Sequence, residues 1–135
     1  MKRVVLDTGV IISAALKKDG TSRKVFIKVV NSCKPLIAIP TLEELEEVMS
    51  RPKFARFIFT EDKISILESL VQHGELIDVI SNIKLCRDED DDIFLSLAID
   101  GKADVLVSRD PDLLILKSIE SIPILTPVEF LDWLK

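Results

Sequence analysis

Histidine, cysteine and tyrosine are scarce in this sequence of 135 residues, which has one histidine, two cysteines and no tyrosine. A single histidine excludes a multi-histidine metal site, and the lack of a second histidine and of tyrosine makes most triad chemistry a poor fit. Cys33 and Cys86 are far apart in the chain, so they form neither a zinc motif nor a disulfide framework. We interpret both as small apolar fillers, which leaves any catalysis to other residue types.

Long apolar runs are also missing, since none approaches the ~18 residues that span a bilayer. The opening segment MKRVVLDTGVIISAALKK is a poor signal peptide, because Asp7 interrupts its apolar stretch and Lys17 and Lys18 stand where small residues are needed. We therefore predict a cytoplasmic protein without membrane association. Apolar residues make up 47% of the chain, enough for a core. The lack of a linker or repeat predicts a single domain over residues 1–135.

The net charge of −5 is unusual for a protein that binds nucleic acid, but the charges are unevenly distributed. Residues 1–60 hold 11 Lys/Arg and 6 Asp/Glu, a net of +5, whereas residues 61–135 hold 7 and 17, a net of −10. The basic residues are either solvated helix faces or a phosphate-contacting rim beside an acidic pocket. They cluster at Lys17, Lys18, Arg23, Lys24 and Lys28, and again at Arg51, Lys53 and Arg56.

Strand and helix signals alternate along the whole chain. This alternation predicts a three-layer α/β/α fold with a central, mainly parallel, five-stranded sheet. The strands are short and almost entirely apolar, as expected when both faces of a sheet are buried. We expect threonine caps at four helix starts, Thr21, Thr41, Thr60 and Thr126. The predicted strands are Arg3–Leu6, Leu36–Ile39, Leu76–Ile80, Val105–Ser108 and Ile122–Leu125.

Two aspartates stand where the predicted strands end. Asp7 closes the first strand in VVLDTGV, and Asp110 comes just after the fourth in VLVSRDPDLL. Ligands of a parallel sheet bind beyond the carboxyl ends of its strands, so both side chains are expected in one crevice. A single aspartate at a strand end often only caps the next helix, but two at different strand ends are harder to explain in that way.

Further carboxylates lie at two helix starts. Glu44, in TLEELEEVM, borders the buried stripe of its helix, and it is either a site residue or the partner of Thr41 in a capping box. Glu46 borders the other edge of that stripe and stays open as an alternative. The run RDEDDDIFLSLA places several acids at the start of an apolar helix, where carboxylates suit the helix dipole. The pattern favours Asp91 for the buried side and does not separate it cleanly from Asp90 and Asp92.

Several carboxylates in one crevice repel each other and need a cation unless they are protonated. Ligand sets made only of oxygen favour hard ions such as Mg²⁺ or Mn²⁺. Such ions lower the pKa of a bound water and clamp a phosphodiester. The acidic residues therefore indicate metal-assisted phosphodiester hydrolysis, in which no lysine or histidine has to act as the base.

Taken in order, four segments resemble the PIN-domain nuclease family, and together they cover essentially the whole chain. VVLDTGVIISAAL resembles its first strand and metal aspartate, and TLEELEEVMSRPKF resembles the segment that carries its glutamate. DEDDDIFLSLAIDGKADVLVSRDPDLL resembles its aspartate-led helix, following strand and Ser/Thr-x-Asp-x-Asp-Leu-Leu motif. IPILTPVEFLDWL resembles its last strand and helix. One departure is Gly9, which stands where relatives usually have asparagine.

The resemblance implies an Mg²⁺- or Mn²⁺-dependent endoribonuclease that is commonly the toxin of a toxin–antitoxin pair. It also implies RNA as substrate, an antitoxin protein as partner and a homodimer. Thr8 and Ser108 would be auxiliary residues that hydrogen-bond within the acidic site, although turn or cap chemistry explains them equally well. RNA contacts would fall on Arg23, Lys24, Arg51 and Lys53. The catalytic and metal-binding acids would be Asp7, Glu44, Asp91 and Asp110, with Asp112 as a further metal ligand.

Other classes of protein fit the residues less well. Asp7-Thr8-Gly9 matches the Asp-Thr-Gly triplet of aspartic proteases, but those proteins are all-β. A receiver or phosphatase-like α/β domain would need a lysine at the end of a late strand. The nearest candidate in this chain is Arg109, so the fit is poor. The serious alternative is a non-catalytic PIN-fold module that binds RNA or a protein without cutting.

Overall fold

The computed structural model describes residues 1–135 and contains strands and helices in alternation. The strands are β1 (Arg3–Leu6), β2 (Lys34–Ile37), β3 (Glu75–Leu76), β4 (Val105–Val107), β5 (Ser118–Ile119) and β6 (Ile122–Leu125). The helices are α1 (Thr8–Leu16), α2 (Thr21–Ser32), α3 (Ile39–Met49), α4 (Pro52–Ala55), α5 (Thr60–His73), α6 (Glu89–Asp100), α7 (Pro111–Leu114) and α8 (Pro127–Leu134). None of the helices combines the length and the apolar character needed to cross a bilayer.

The strands form one sheet in the order β3-β2-β1-β4-β6-β5, and every pairing except β5 with β6 is parallel. Successive side chains of a strand point to opposite faces of the sheet. Val4 therefore joins a core shared with α1, α2, α3, α5 and α8, whereas Val5 joins a second core formed with α6 and α7. The three-layer, mainly parallel α/β fold predicted from the sequence is confirmed.

The predicted count of five strands is wrong, because β5 pairs with β6 in a short antiparallel hairpin and makes the sheet six-stranded. Its turn consists of Glu120 and Ser121, both with positive φ (47° and 69°). Such turns normally use asparagine or glycine, so this one has no recognisable sequence signal. The third predicted strand, Leu76–Ile80, is likewise reduced to the two residues of β3.

Three of the four expected threonine caps are wrong. Gly20, Ala38 and Phe59 occupy the N-cap positions of α2, α3 and α5, so Thr21 and Thr60 are already helical. In α3, Pro40 lies in the first turn, where its fixed φ suits a helix start, and the helix begins two residues before Thr41. The cap at Thr126 is confirmed, since its hydroxyl and Glu129 form a reciprocal capping box.

The carboxyl-terminal helix α8 covers the sheet. Phe130 is fully buried in the core that α1 and α2 share, and Leu131 and Leu134 pack against that core. We therefore expect Phe130→Ala to lower the free energy of unfolding by about 3–5 kcal/mol, because it removes a ring and leaves a cavity. Urea denaturation followed by far-UV circular dichroism measures this change.

Val128→Ala is the matched control on the same helix, since Val128 is 66% exposed and its truncation should change stability by no more than about 0.5 kcal/mol. Equal effects of the two substitutions would contradict this packing of α8.

Candidate metal centre

Asp7 is a buried carboxylate at the carboxyl end of β1, only 4% exposed. Its Oδ1 accepts a hydrogen bond of 2.9 Å from the N–H of Val10 and so caps α1. Its Oδ2 accepts a hydrogen bond from the hydroxyl of Ser108, which follows β4 on the adjacent strand. The Ser108 oxygen in turn accepts the N–H of Asp110 at 2.9 Å. Ser108 therefore joins the two aspartates that follow β1 and β4.

Glu44 reaches the same place from α3. Its Oε2 accepts a hydrogen bond of 2.5 Å from the hydroxyl of Thr8, the residue after Asp7. The alternative capping box with Thr41 does not form, because the Thr41 hydroxyl bonds instead to the backbone N–H and C=O of Ala38. The other open candidate, Glu46, lies at an exposed position and pairs with Lys63 at 3.3 Å.

The first turn of α6 directs its three consecutive aspartates, Asp90, Asp91 and Asp92, into different surroundings. Asp92 is turned into the protein, where its Oδ1 accepts the N–H groups of Leu85 and Cys86 at 3.0 and 2.8 Å. Asp90 is exposed. Asp91 lies in the same cleft as Asp7, Glu44 and Asp110, and its Oδ2 is buried with no hydrogen-bond partner. Of the three residues, the structure brings only Asp91 to the other acids.

Asp112 lies two residues beyond Asp110. Asp91, Asp110 and Asp112 can each offer one carboxylate oxygen, and these oxygens lie within 4.8 Å of one another. Asp110 caps the N-terminus of α7 by accepting the N–H of Asp112 at 2.8 Å. Asp112 also pairs with the exposed Arg87 at 3.3 Å, so its charge is partly balanced.

Burial and mutual repulsion raise the pKa values of three of these carboxylates. Burial raises the pKa of Asp7 to about 6, although the Ser108 hydroxyl and the Val10 N–H oppose the shift. Burial and the neighbouring Asp110 raise the pKa of Asp91 to about 7. Burial also raises the pKa of Glu44, against the effect of the Thr8 hydroxyl. The pKa values of these three acids are therefore higher than that of an ordinary carboxyl group.

We call the space between these residues the acidic cleft; it has a volume of about 620 Å³ and contains Asp7, Glu44, Asp91 and Asp110. Arg51 and Lys53, two of the residues expected to contact RNA, line the same cleft. Arg23 and Lys24 do not line it; Arg23 instead donates through Nε to the carbonyl of Ala14 at 2.8 Å. The cleft also contains Lys17 and Arg109, which were not among the predicted contact residues.

Lys17 and Arg109 could have been found by sequence reasoning. Lys17 directly follows α1, the helix that Asp7 caps, and Arg109 stands between Ser108 and Asp110. Their signal is chain proximity to the predicted acids, and Lys17 also belongs to the first basic cluster of the sequence. At Gly9 a Cβ atom would lie 3.6 Å from Asp7 Oδ1, which is an ordinary van der Waals contact.

The side chains present suit a hard divalent cation. All ligands on offer are carboxylate oxygens, the donors that such ions prefer. The buried Asp91 Oδ2 lacks any donor within the protein, although a buried charged oxygen is costly without one. A cation held by Asp91, Asp110 and Asp112 would balance this oxygen.

Comparison with known proteins identifies the family. The family model of the PIN domain matches residues 3–112, so the chain belongs to the PIN-domain family, and the resemblance inferred from the sequence is confirmed. PIN domains are generally metal-dependent nucleases and typically bind divalent metals. An uncharacterized protein of Methanocaldococcus jannaschii is 32% identical over 121 residues, which cover 85% of this chain and 75% of the relative.

Two solved structures share the fold. VapBC2 from Rickettsia felis, solved bound to a DNA fragment from its promoter, matches with a TM-score of 0.61 and 18% identity, covering 92% of this chain and 98% of that one. A domain of a functionally unknown protein from Methanocaldococcus jannaschii matches with a TM-score of 0.59 and 18% identity, covering 92% and 89%. At this level of identity the likeness concerns the fold alone.

Asp92 accepts two backbone N–H groups and Asp91 Oδ2 has no hydrogen-bond partner, so we expect their substitutions to change stability in opposite directions. We expect Asp91→Asn to raise the free energy of unfolding by about 1 kcal/mol in EDTA at a pH above the Asp91 pKa of about 7, because there it removes a buried charge that repels Asp110. We expect Asp92→Ala to lower it by about 1–3 kcal/mol, because two backbone N–H groups lose their acceptor. Thermal denaturation in EDTA measures both, and a loss of stability in Asp91→Asn would contradict the assignment.

Proposed function

We propose that this protein is a metal-dependent endoribonuclease that hydrolyses RNA phosphodiester bonds in the acidic cleft. One observation carries the proposal: four carboxylates from separate parts of the chain lie in a cleft that basic side chains also line. Membership of the PIN-domain family supports the same chemistry. The buried Asp91 Oδ2, which has no hydrogen-bond partner, supports a bound cation in the cleft.

Mg²⁺ or Mn²⁺ would be held by Asp7, Glu44, Asp91 and Asp110, with Asp112 as a further ligand. Such a metal supplies an activated water and stabilises the negative charge that develops on the phosphodiester. The Ser108 and Thr8 hydroxyls orient Asp7 and Glu44 by donating to them. Two hydrogen bonds fix Asp110. Its N–H donates to the Ser108 hydroxyl oxygen, and its Oδ1 accepts the N–H of Asp112.

The basic residues of the cleft have a separate role in this proposal. Arg51, Lys53, Lys17 and Arg109 lie beside the carboxylates, where they would pair with phosphates on either side of the bond that is cut. Without them the net charge of −5 would repel an RNA backbone. The proposal places RNA contacts on this rim rather than on Arg23 and Lys24.

The same proposal extends to biological context. We infer that the protein acts as the toxin of a toxin–antitoxin pair in the cytoplasm, with an antitoxin protein as partner and a homodimer as its assembly. The family and the likeness in fold to VapBC2 support this inference. The single domain over residues 1–135 would then be the toxin itself. Co-expression with the neighbouring open reading frame, followed by purification and light scattering, tests the partner and the assembly.

We expect Asp7→Asn to abolish cleavage of a labelled single-stranded RNA in Mn²⁺ while leaving the fold intact. Asparagine retains an oxygen to cap α1 and a group that bonds to Ser108, but it does not supply the negative charge that a metal requires. Gel analysis of the RNA after incubation with the parent protein, the variant and an EDTA-treated sample measures the effect.

Asp104→Asn is the matched control for that experiment. Asp104 precedes β4, at the end opposite the cleft, and accepts the N–H of Arg3 at 2.8 Å, which asparagine can also do. It should cut as fast as the parent protein. If Asp7→Asn also cut at the parent rate under matched metal, the active-site assignment would be wrong; absence of both cleavage and metal binding in the parent would favour the non-catalytic module.

A double substitution, Arg51→Ala with Lys53→Ala, should weaken RNA binding and reduce its dependence on salt. Removing one phosphate contact makes the slope of log affinity against log salt shallower by about 0.7 for single strands. Filter binding in EDTA over a series of salt concentrations measures that slope. Lys24→Ala with Lys28→Ala on α2 is the control, and an equal change in slope there would show that the RNA contacts are not confined to the cleft.

A further inference from the structure

The segment after α3 exposes two phenylalanines that the mechanism does not use. Phe57 and Phe59 are 67% and 68% exposed, whereas Phe26, Phe94 and Phe130 are at most 6% exposed. Burial of a phenylalanine side chain is worth roughly 1.5–3 kcal/mol, so two exposed rings only two residues apart forgo that stabilisation unless a ligand covers them. We call Phe57 and Phe59 the aromatic platform.

The aromatic platform is held in place by the residue between its two rings. Ile58 is 6% exposed and belongs to the main core, so its neighbours on either side are directed outward. The N–H groups of Phe57 and Ile58 both donate to the carbonyl of Phe54, at 2.8 and 3.0 Å. Phe59 then occupies the N-cap of α5. The rings are therefore presented by a fixed turn, which lowers the entropic cost of binding a ligand.

A cation lies close to each aromatic ring of this segment. Arg56 lies 5.6 Å from the Phe57 ring and Lys18 lies 6.0 Å from the Phe59 ring. Lys53 lies 4.9 Å from the ring of Phe54, and both of these residues line the acidic cleft. Residues 51–60 contain three basic residues and no carboxylate. Among the surrounding acids, Asp62 pairs with Lys18 at 3.7 Å.

We infer that the aromatic platform binds unpaired bases of single-stranded RNA next to the bond cut in the acidic cleft. Aromatic rings that alternate with cations are the arrangement that binds single strands, because bases stack on the rings while cations attract the phosphates. The bases of a duplex are stacked on one another and cannot reach the rings, so this surface selects single strands. The inference rests on the proposed function for its substrate class.

The test measures binding without cleavage. Fluorescence anisotropy in EDTA follows a labelled oligoadenosine, an abasic ribose-phosphate strand of the same length, and a duplex of the same sequence. We expect Phe57→Ala with Phe59→Ala to bind the oligoadenosine at least about tenfold more weakly than the parent protein. The abasic strand should bind both proteins equally, and Phe57→Trp with Phe59→Trp should restore the affinity for oligoadenosine.

Val71→Ala with Ile80→Ala is the matched control, since both side chains are exposed, at 60% and 83%. Val71 lies in the last turn of α5, and the N–H of Ile80 bonds to Asp100 at the end of α6, both away from the cleft. This control should bind like the parent protein. Unchanged oligoadenosine affinity in Phe57→Ala with Phe59→Ala, or equal losses on the abasic strand, would overturn the inference.

Two further outcomes distinguish base stacking from self-association and from a failure of the proposed function. If the parent protein self-associates and the double alanine variant does not, with RNA affinity unchanged, the rings belong to an interface between copies and the inference is wrong. Hydrolysis of bis(p-nitrophenyl) phosphate by the parent protein in Mn²⁺ reports on the acidic cleft without any base. Its failure would count against the proposed function, whereas unchanged RNA affinity in the variant would count against the platform alone.

Discussion

Repulsion among carboxylates that the parallel sheet brings together is the constraint on which the site depends. β1 and β4 are adjacent and parallel, so Asp7 and Asp110 follow them at the same edge of the sheet. Burial raises the pKa of Asp7 to about 6, and burial together with the neighbouring Asp110 raises that of Asp91 to about 7. The hydroxyls of Ser108 and Thr8 and the N–H groups at helix starts offset part of this cost. A cation would neutralise the negative charge that these groups leave unbalanced, above all at Asp91.

The same carboxylate can cap a helix and line the acidic cleft. Asp7 caps α1 through Oδ1 and faces Ser108 with Oδ2, while Asp110 caps α7 through Oδ1. From the sequence alone, capping and function stand as alternatives, since spacing cannot show what each oxygen contacts. A carboxylate fixed by its cap also loses less entropy when its other oxygen binds a ligand.

Sequence patterns predict the structure best where they repeat and worst where a single contact decides. The alternation of strands and helices predicts the three-layer fold, and the segments around Asp7, Asp91 and Asp110 identify the family. The hairpin of β5 and β6 was missed because its turn, Glu120-Ser121, has no glycine or asparagine. The pattern favours Asp91 among the three consecutive aspartates of α6 but does not separate them cleanly, because the separation depends on the N–H groups of Leu85 and Cys86, which lie outside the helix.

Hydrogen-bond partners distinguish the acids that stabilise the fold from those available to a ligand. Asp92, Asp100 and Asp104 each accept backbone N–H groups, so their charges are satisfied within the protein. Asp91 has a buried oxygen without a partner, and it lies where Arg51 and Lys53 also line the cleft. The overall charge of −5 therefore says little about the ligand, because a strongly charged substrate responds to charges within about 10 Å. Within that range the cleft offers a cation site bordered by a basic rim, and an RNA backbone can use both.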